Sequence, residues 1–318
     1  MSGDSGDCFL VTGSGGCLGS WVVKHLVDRG ERCVALDRER DPERLRRIAG
    51  EERLAEVVSL AGDIVEEGLL AGVVAEHGVT RIVHLAALQI PFVAADPIGG
   101  SLVNVVGTLR VLEAARSRSG QVLGLVYASS AAVFGPGGRP ATLYGVFKVA
   151  NEESARIYAE DYGVPSIGVR PWAIFGPGRD QGLTAAPTLA MKAAVLGEAY
   201  HIPFGGRVDL QYVDDAARTF VELACLDARG AAVYNLRGSV VDVAEVVAVI
   251  EEARPQAAGL ITHSPDAIPI DPELDDTGLR RVLPDPPRTP LPVAVEQTLR
   301  FFERERERGR LALTDSPS

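Results

Sequence analysis

A chain of 318 residues that is 46% hydrophobic and 24% charged has the composition of an ordinary soluble globular protein, with room for one large domain or one and a half. Its net charge of -11 sets it against nucleic acid and anionic membrane surfaces, so the expected partner is a small-molecule substrate. The opening MSGDSGD is acidic where a secretory leader is basic and apolar, and no apolar run reads as a bilayer span, which makes the cytoplasm the expected location.

In chain order, the first half alternates short apolar runs with amphipathic stretches. CFLVT (8–12), RCVALD (32–37), EVVSL (56–60), RIVHLA (81–86) and VLGLVYAS (122–129) are apolar throughout or nearly so, as strands buried on both faces should be. Helical segments fall near 17–29, 66–77 and 103–118. The βαβαβ order predicts a parallel sheet with right-handed crossovers. After Gly163, VPSIGVR gives a further strand. Segment 171–212 is rich in Gly and Pro with little periodicity, DDAARTFVELACL (214–226) reads as a helix, AVYNLR as a strand and VDVAEVVAVIEEA (241–253) as another helix. The proline-rich stretch 265–292 reads as irregular covering structure before a charged helix near 293–308 and a disordered tail, LTDSPS. The predicted fold class is α/β: a Rossmann-type doubly wound parallel sheet over residues 1–170, then a small C-terminal substrate-binding lobe over 171–318 with some segments returning to the large domain. Cys8, Cys17, Cys33 and Cys225 lack metal-ligand spacing and read as reduced small hydrophobes, so no metal is expected.

Gly13, Gly16 and Gly19 directly follow the first strand and open the first helix, the context that a dinucleotide fingerprint needs. They permit a tight turn and close approach of backbone to a pyrophosphate, which the free N–H groups of the helix start can bind. Asp37 ends the second strand 18 residues after Gly19, where a carboxylate accepts both adenosine ribose hydroxyls and repels a 2′-phosphate. That favours NAD over NADP, although Arg38 and Arg40 could serve a phosphate instead. Asp63 and Ile64 end the third strand, where they could hold the adenine or be a helix cap and a core residue. Tyr144 and Lys148, in ATLYGVFKVANEE, are spaced to share one face of a helix. On its own that pair also fits a partly buried tyrosine beside a solvated lysine.

With these pieces placed, residues 8–237 resemble the extended short-chain dehydrogenase/reductase family, the NAD-dependent epimerase/dehydratase group. The motifs are TGSGGCLG, GDI, HLAA (84–87), NVVGT (104–108), YASSAAVFG (127–135), YGVFK (144–148) and RPWAIFGPG (170–178). The resemblance implies that Tyr144 is the catalytic acid/base, that Lys148 supports it and holds the nicotinamide ribose, and that Ser130 supplies the catalytic hydroxyl, with Ser129 as the fallback. Asn104 would support the helix geometry around the lysine, and His84 reads as a core residue. The cofactor-binding residues implied are Gly13, Gly16, Cys17, Leu18, Gly19, Asp37, Arg38, Asp63, Ile64, Leu85, Ala86, Ala87, Tyr144, Lys148 and Pro171. A homodimer packed through helices 100–118 and 144–162 is expected.

Departures from the family speak to the substrate. Ala131 and Ala132 stand where dehydratases carry an Asp-Glu pair, so sugar dehydration is not expected. Ala173 and Val208 replace an Asn and an Arg that hold the nucleotide-diphosphate of sugar-nucleotide substrates, with Arg207 one residue away. Trp172, Arg179, Gln181, Thr184 and His201 remain to bind a smaller polar molecule: a sugar, a sugar acid or another hydroxy compound. Trp172 and His201 also have plain structural readings, and Arg179 one as a surface charge. The expected function is an NAD-dependent oxidoreductase that moves hydride between a secondary alcohol and NAD. The alternatives are an NAD-dependent sugar or nucleotide-sugar epimerase that retains its cofactor, and a non-catalytic NAD-sensing protein, against which the intact Ser130, Tyr144 and Lys148 argue.

Overall fold

A computed structural model describes residues 6–39, 43–118 and 120–312. Arg40 and the tail LTDSPS lie outside the described residues. In the first half the elements are β1 (Cys8–Thr12), α1 (Cys17–Asp28), β2 (Arg32–Asp37), α2 (Glu43–Ala49), α3 (Glu51–Leu54), β3 (Val58–Ala61), α4 (Leu69–His77), β4 (Arg81–His84), α5 (Ile90–Ala95), α6 (Pro97–Ser101), a π-helical turn (Leu102–Val106), α7 (Gly107–Ser117), β5 (Gly124–Ala128), α8 (Leu143–Tyr162) and β6 (Ser166–Arg170). Then come β7 (Ala173–Phe175), α9 (Ala186–Leu196), β8 (Tyr200–Ile202), β9 (Arg207–Tyr212), α10 (Val213–Ala224), β10 (Ala231–Asn235), β11 (Ser239–Asp242), α11 (Val243–Ala253), β12 (Ile261–His263), α12 (Thr277–Val282) and α13 (Leu291–Glu307).

Seven parallel strands form the large sheet in the order β10-β6-β5-β4-β1-β2-β3. The direction of winding reverses between β1 and β4, and the crevice beyond the carboxyl ends of those strands is where such sheets take ligands. β1 and β4 are buried along their whole length because helices cover both faces. The expectation of burial on both faces fails for the run 56–60. It becomes β3 at the edge of the sheet, with Val58 exposed.

Chain beyond residue 170 builds a three-stranded sheet, β11-β9-β7, and a parallel pair, β12-β8. These pack with α9, α11 and α13 around a separate apolar core that includes Met191, Val208, Leu210, Ile250 and Leu299. The segment 171–212 is therefore more ordered than its weak periodicity suggests. Its strands β7 and β8 have only three residues each, too short to show a period. Helix α9 is buried nearly all round, so it has no polar stripe to give a helical signature. α10 and β10 return to the large sheet, β10 pairing with β6.

One expectation about apolar length also needs correcting. Residues 97–117 run as an unbroken helical stretch of 21 residues that contains an 18-residue window of mean hydropathy 1.2, long and apolar enough by composition to cross a bilayer. Here it is a packed element, with Asn104, Thr108, Val111, Leu112 and Ala115 buried against the rest of the protein.

Candidate active site

The glycine loop between β1 and α1 is as tight as the residue types demand. Gly13 has a φ of 71°, and a Cβ there would lie 2.6 Å from Ala86 N. A Cβ on Gly19 would lie 2.0 Å from Gly13 O. The loop is therefore pressed against Leu85 and Ala86, whose backbone joins Thr12 through Leu85 N at 3.0 Å. Asp37, at the end of β2, accepts from Gly15 N at 2.8 Å and from Arg38 N at 2.7 Å. Its carboxylate thus stands beside the phosphate-sized cradle at the start of α1. Cys17 opens that helix, and burial pushes its thiol up to about 11, which keeps it protonated. Ile64 is buried against Gly107, while Asp63 accepts from Val65 N at 3.1 Å as a turn cap. These residues fit a dinucleotide: a glycine-lined helix start for the pyrophosphate, and a carboxylate one strand away for the ribose.

Tyr144 and Lys148 lie in the first turns of α8. Thr142 caps that helix by accepting from Gly145 N at 3.1 Å. A Cβ on Gly145 would meet Ala132 O at 2.2 Å, so the start of α8 packs directly on residues 131–133 and brings Tyr144 to Ser130. Ser130 stands close enough to the phenol to lower it and accepts from Ala132 N at 3.1 Å. Ala131 N donates to Pro171 O at 2.8 Å, which ties this turn to the end of β6. Lys148 is buried, its Nζ 5.4 Å from the centre of the Tyr144 ring and donating to Ala128 O at 2.7 Å. Burial lowers the ammonium to about 8, against the nearby Glu152 carboxylate, which works to keep it charged. Burial raises the Tyr144 phenol, while Ser130 and the Arg179 guanidinium pull it down.

Behind the lysine lies a run of hydrogen bonds. Thr108 spends its hydroxyl proton on Asn104 O at 2.8 Å, so His84 Nε2 donates to Thr108 Oγ1 at 3.1 Å and Nδ1 accepts from Thr12 at 2.7 Å. Burial, helped by the Lys148 charge, holds His84 down at about 3 and hence neutral. Asn104 sits in the π-helical turn, where its side chain clasps both Leu88 N and Leu88 O at 2.7 and 2.8 Å. Its carbonyl also accepts from Asn151 Nδ2 at 2.8 Å. Ser129, next to Ser130, is buried and donates to Glu152, which is also held by Arg170 Nε at 2.8 Å.

On the far side of the crevice, the loop 176–184 folds over the glycine loop. Trp21 Nε1 donates to Pro177 O at 2.9 Å. Arg44, from α2, bridges Gly15 O at 2.8 Å and Asp180 Oδ2 at 2.5 Å. Arg179 Nη2 donates to Thr184 Oγ1 at 3.1 Å. With the Gln89 amide turned to satisfy its neighbours, its oxygen accepts from Arg179 Nη1 at 3.3 Å and its nitrogen donates to Gln181 O at 3.2 Å.

A sequence profile described as the NAD dependent epimerase/dehydratase family matches residues 9–236. The chain belongs to that family. It is an enzyme of the NAD-dependent epimerase/dehydratase family, and its cofactor is NAD. It is 30% identical over 317 residues to a UDP-glucose 4-epimerase of Mycolicibacterium smegmatis, an alignment that covers 92% of this chain and 97% of that protein. The structure of MoeE5 in complex with UDP-glucose and NAD aligns at 26% identity and a TM-score of 0.76, covering 94% of this chain and 99% of the other. A partial-consensus L-threonine 3-dehydrogenase aligns at 25% identity and a TM-score of 0.81, covering 93% and 99%.

The fold brings Ser130, Tyr144 and Lys148 together, with Arg179 and Thr184 opposite, and sets the glycine loop, Asp37, Leu85 and Ala86 along the crevice. It does not bring His201 to them. That ring is exposed on β8, with its nitrogens taken by Thr262 Oγ1 and Ser264 Oγ, each at 2.9 Å. Trp172 is buried in the second core and donates from Nε1 to Asp271 O at 3.2 Å. Ala173 and Val208 are both buried in strands of the three-stranded sheet, and neither offers a polar group. Gln89, Arg44, Asp180 and Glu152 escape the sequence reading. Gln89 alone had a signal, since it closes the HLAALQ loop after β4.

Proposed function

We propose that this enzyme oxidises a secondary alcohol on a small polar substrate, or reduces the matching ketone, as an NAD-dependent dehydrogenase/reductase. The observation that carries the reading is the half-buried Tyr144 ring with the buried Lys148 Nζ 5.4 Å from its centre and Ser130 close enough to lower the phenol. NAD, once bound, would supply the hydride acceptor for the carbinol carbon, or the donor in the reverse direction. Tyr144 takes the hydroxyl proton in the oxidising direction and gives it back in the other. The Lys148 charge favours the phenolate, and Ser130 orients the substrate oxygen and donates to it as charge develops there. Gly13, Gly16, Cys17, Leu18 and Gly19 would hold the pyrophosphate, Asp37 the adenosine ribose, Lys148 the nicotinamide ribose and Pro171 its ring. Neutral His84 keeps a second cation away from Lys148. Residues 1–170 serve mainly as the dinucleotide-binding part and 171–318 as the substrate lobe.

A second reading, epimerisation at a sugar carbon, is favoured by the UDP-glucose 4-epimerase relative. It shares the same first hydride abstraction, but the missing polar groups at Ala173 and Val208 weigh against a nucleotide-sugar. Incubation with NAD and a panel of sugars, sugar acids, other alcohols and UDP-sugars separates the two. Net NADH marks a dehydrogenase, and isomers without NADH mark an epimerase. No reaction with any of them, from a protein that binds NAD, would overturn both.

A further inference from the structure

Arg179 is a cation without a counter-ion at the mouth of the catalytic set. Asp180, its neighbour in the chain, is taken by Arg44. Among the described residues no carboxylate pairs with Arg179, whose partners are the neutral Thr184 hydroxyl and Gln89 amide. Its Nε is buried and has no hydrogen-bond partner at all. Leaving a guanidinium donor buried and unpaired costs free energy that a bound anion would recover. The planar fork of a guanidinium matches a carboxylate with two parallel hydrogen bonds.

Two sources could supply that anion: the substrate, or the cofactor pyrophosphate. Arg44 and the start of α1 already face the pyrophosphate cradle. The groups that fix Arg179 sit elsewhere, Gln89 in the turn after β4 and Thr184 just before α9, the first helix of the lobe. A Cβ on Gly182 would come within 2.7 Å of the Gln89 side-chain amide and 3.6 Å of Arg179 Nη2, so the backbone closes tightly round this pair. The guanidinium acts on the Tyr144 phenol and also on the Cys17 thiol at the start of α1, so it lies between the two ends of the crevice.

We propose that Arg179, set by Gln89 and Thr184, is a carboxylate-binding subsite facing Tyr144, and that the substrate is a hydroxy acid whose secondary alcohol meets Tyr144 while its carboxylate meets Arg179. This rests on the reading of Tyr144 and Ser130 as the alcohol site. No bond changes at the carboxylate, which serves only to orient the substrate.

The test is calorimetry on the NADH complex, in which an alcohol cannot be oxidised. The probes are glycerate, threonate, gluconate and glucuronate, each set against its neutral counterpart glycerol, threitol, glucitol or glucose. At least one acid should bind roughly tenfold or more tightly than its counterpart, as expected for a charge-assisted pair. Arg179→Gln should erase that margin, Arg179→Lys should keep part of it, and Thr184→Val should weaken acid binding a few-fold. NADH binding, which also reports that each variant is folded, should change less than twofold. Equal binding of acids and neutral compounds, or binding of none of the acids, overturns the proposal. So does an Arg179→Gln variant that chiefly loses NADH, because the anion is then the cofactor pyrophosphate. Should acids bind in this way but yield no NADH with NAD, the carboxylate subsite stands and the dehydrogenase reading falls.

Discussion

Burial opposes charge at both members of the Tyr144–Lys148 pair, raising the phenol and lowering the ammonium to about 8. Proton transfer from substrate needs the phenolate, so removing the phenol oxygen should be severe. Tyr144→Phe is expected to cut turnover by a factor of at least about 10² while leaving NAD affinity and the far-UV spectrum unchanged. Turnover within a few-fold of wild type would refute the assignment. Lys148 also links stability to pH. Its folded-state value lies near 8 against an ordinary 10.5, so between those two pH values the unfolded chain holds a proton that the folded one has released. Stability attributable to Lys148 therefore rises with pH across that window, by up to about 1.4 kcal/mol per unit, and below it the buried ammonium costs its full penalty. Urea melts of the wild type and Lys148→Met from pH 7 to 10 should show the wild type gaining on the variant as pH rises, and a constant difference would contradict this. At the cofactor end, Asp37→Ala should bring NAD and NADP affinities closer together, whereas a wild type that already prefers NADP would contradict the assigned role. The tyrosine, lysine and glycines are legible because their spacing is local. Glu152 is not, for in ANEESAR it reads as one more charge on a solvated helix face. Its partners, Ser129 and Arg170, come from the ends of two different strands.

The strand-turn-helix unit at the start of the chain shows how little slack an element can have. A methyl group on Gly19 would fall 2.0 Å from a carbonyl oxygen of the turn it must pack on, and backbone cannot step aside as a flexible side chain can. Gly19→Ala should push α1 away from β1, destabilise the fold by roughly 1–3 kcal/mol as overpacking does, and weaken NAD more than tenfold. Thermal melts and NAD titration measure the two effects, and unchanged NAD affinity would show that the helix start is not the pyrophosphate cradle. The parallel sheet was readable because its central strands are apolar on both faces. The lobe was not, since its strands are short and α9 is wrapped on all sides. The π-helical turn left no sequence mark either. Within it the Asn104 carbonyl accepts from Asn151 and Thr108, so that the helix holding Lys148 is braced from behind.

At the scale of the molecule, one face remains unusually apolar. Leu143 and Val146 of α8 are 49% and 47% exposed, and Ile157, Leu102 and Ile98 also reach solvent. Tyr158 does not join them, because it stays against α7 with its hydroxyl donating to Glu113 Oε1 at 2.6 Å. A patch of this kind along two neighbouring helices is what a second copy of the chain would cover. We expect a homodimer through 97–117 and 143–162, and Val146→Asp should convert it to monomer in sedimentation runs at micromolar concentration; a monomeric wild type would rule it out. The sequence could point to these helices because their apolar residues exceed one core-facing stripe, though it could not tell which of them a neighbouring helix already covers. Finally, β10 pairs with β6 only after the chain has passed through most of the lobe. On a ribosome, then, the nascent sheet up to Arg170 waits with an open β6 edge while residues 171–230 are still being made. An open edge is a template for wrong pairing. Slow translation or a stalled lobe would therefore endanger the nucleotide-binding half even where every residue of that half is intact, and cutting the gene at Arg170 should yield aggregate.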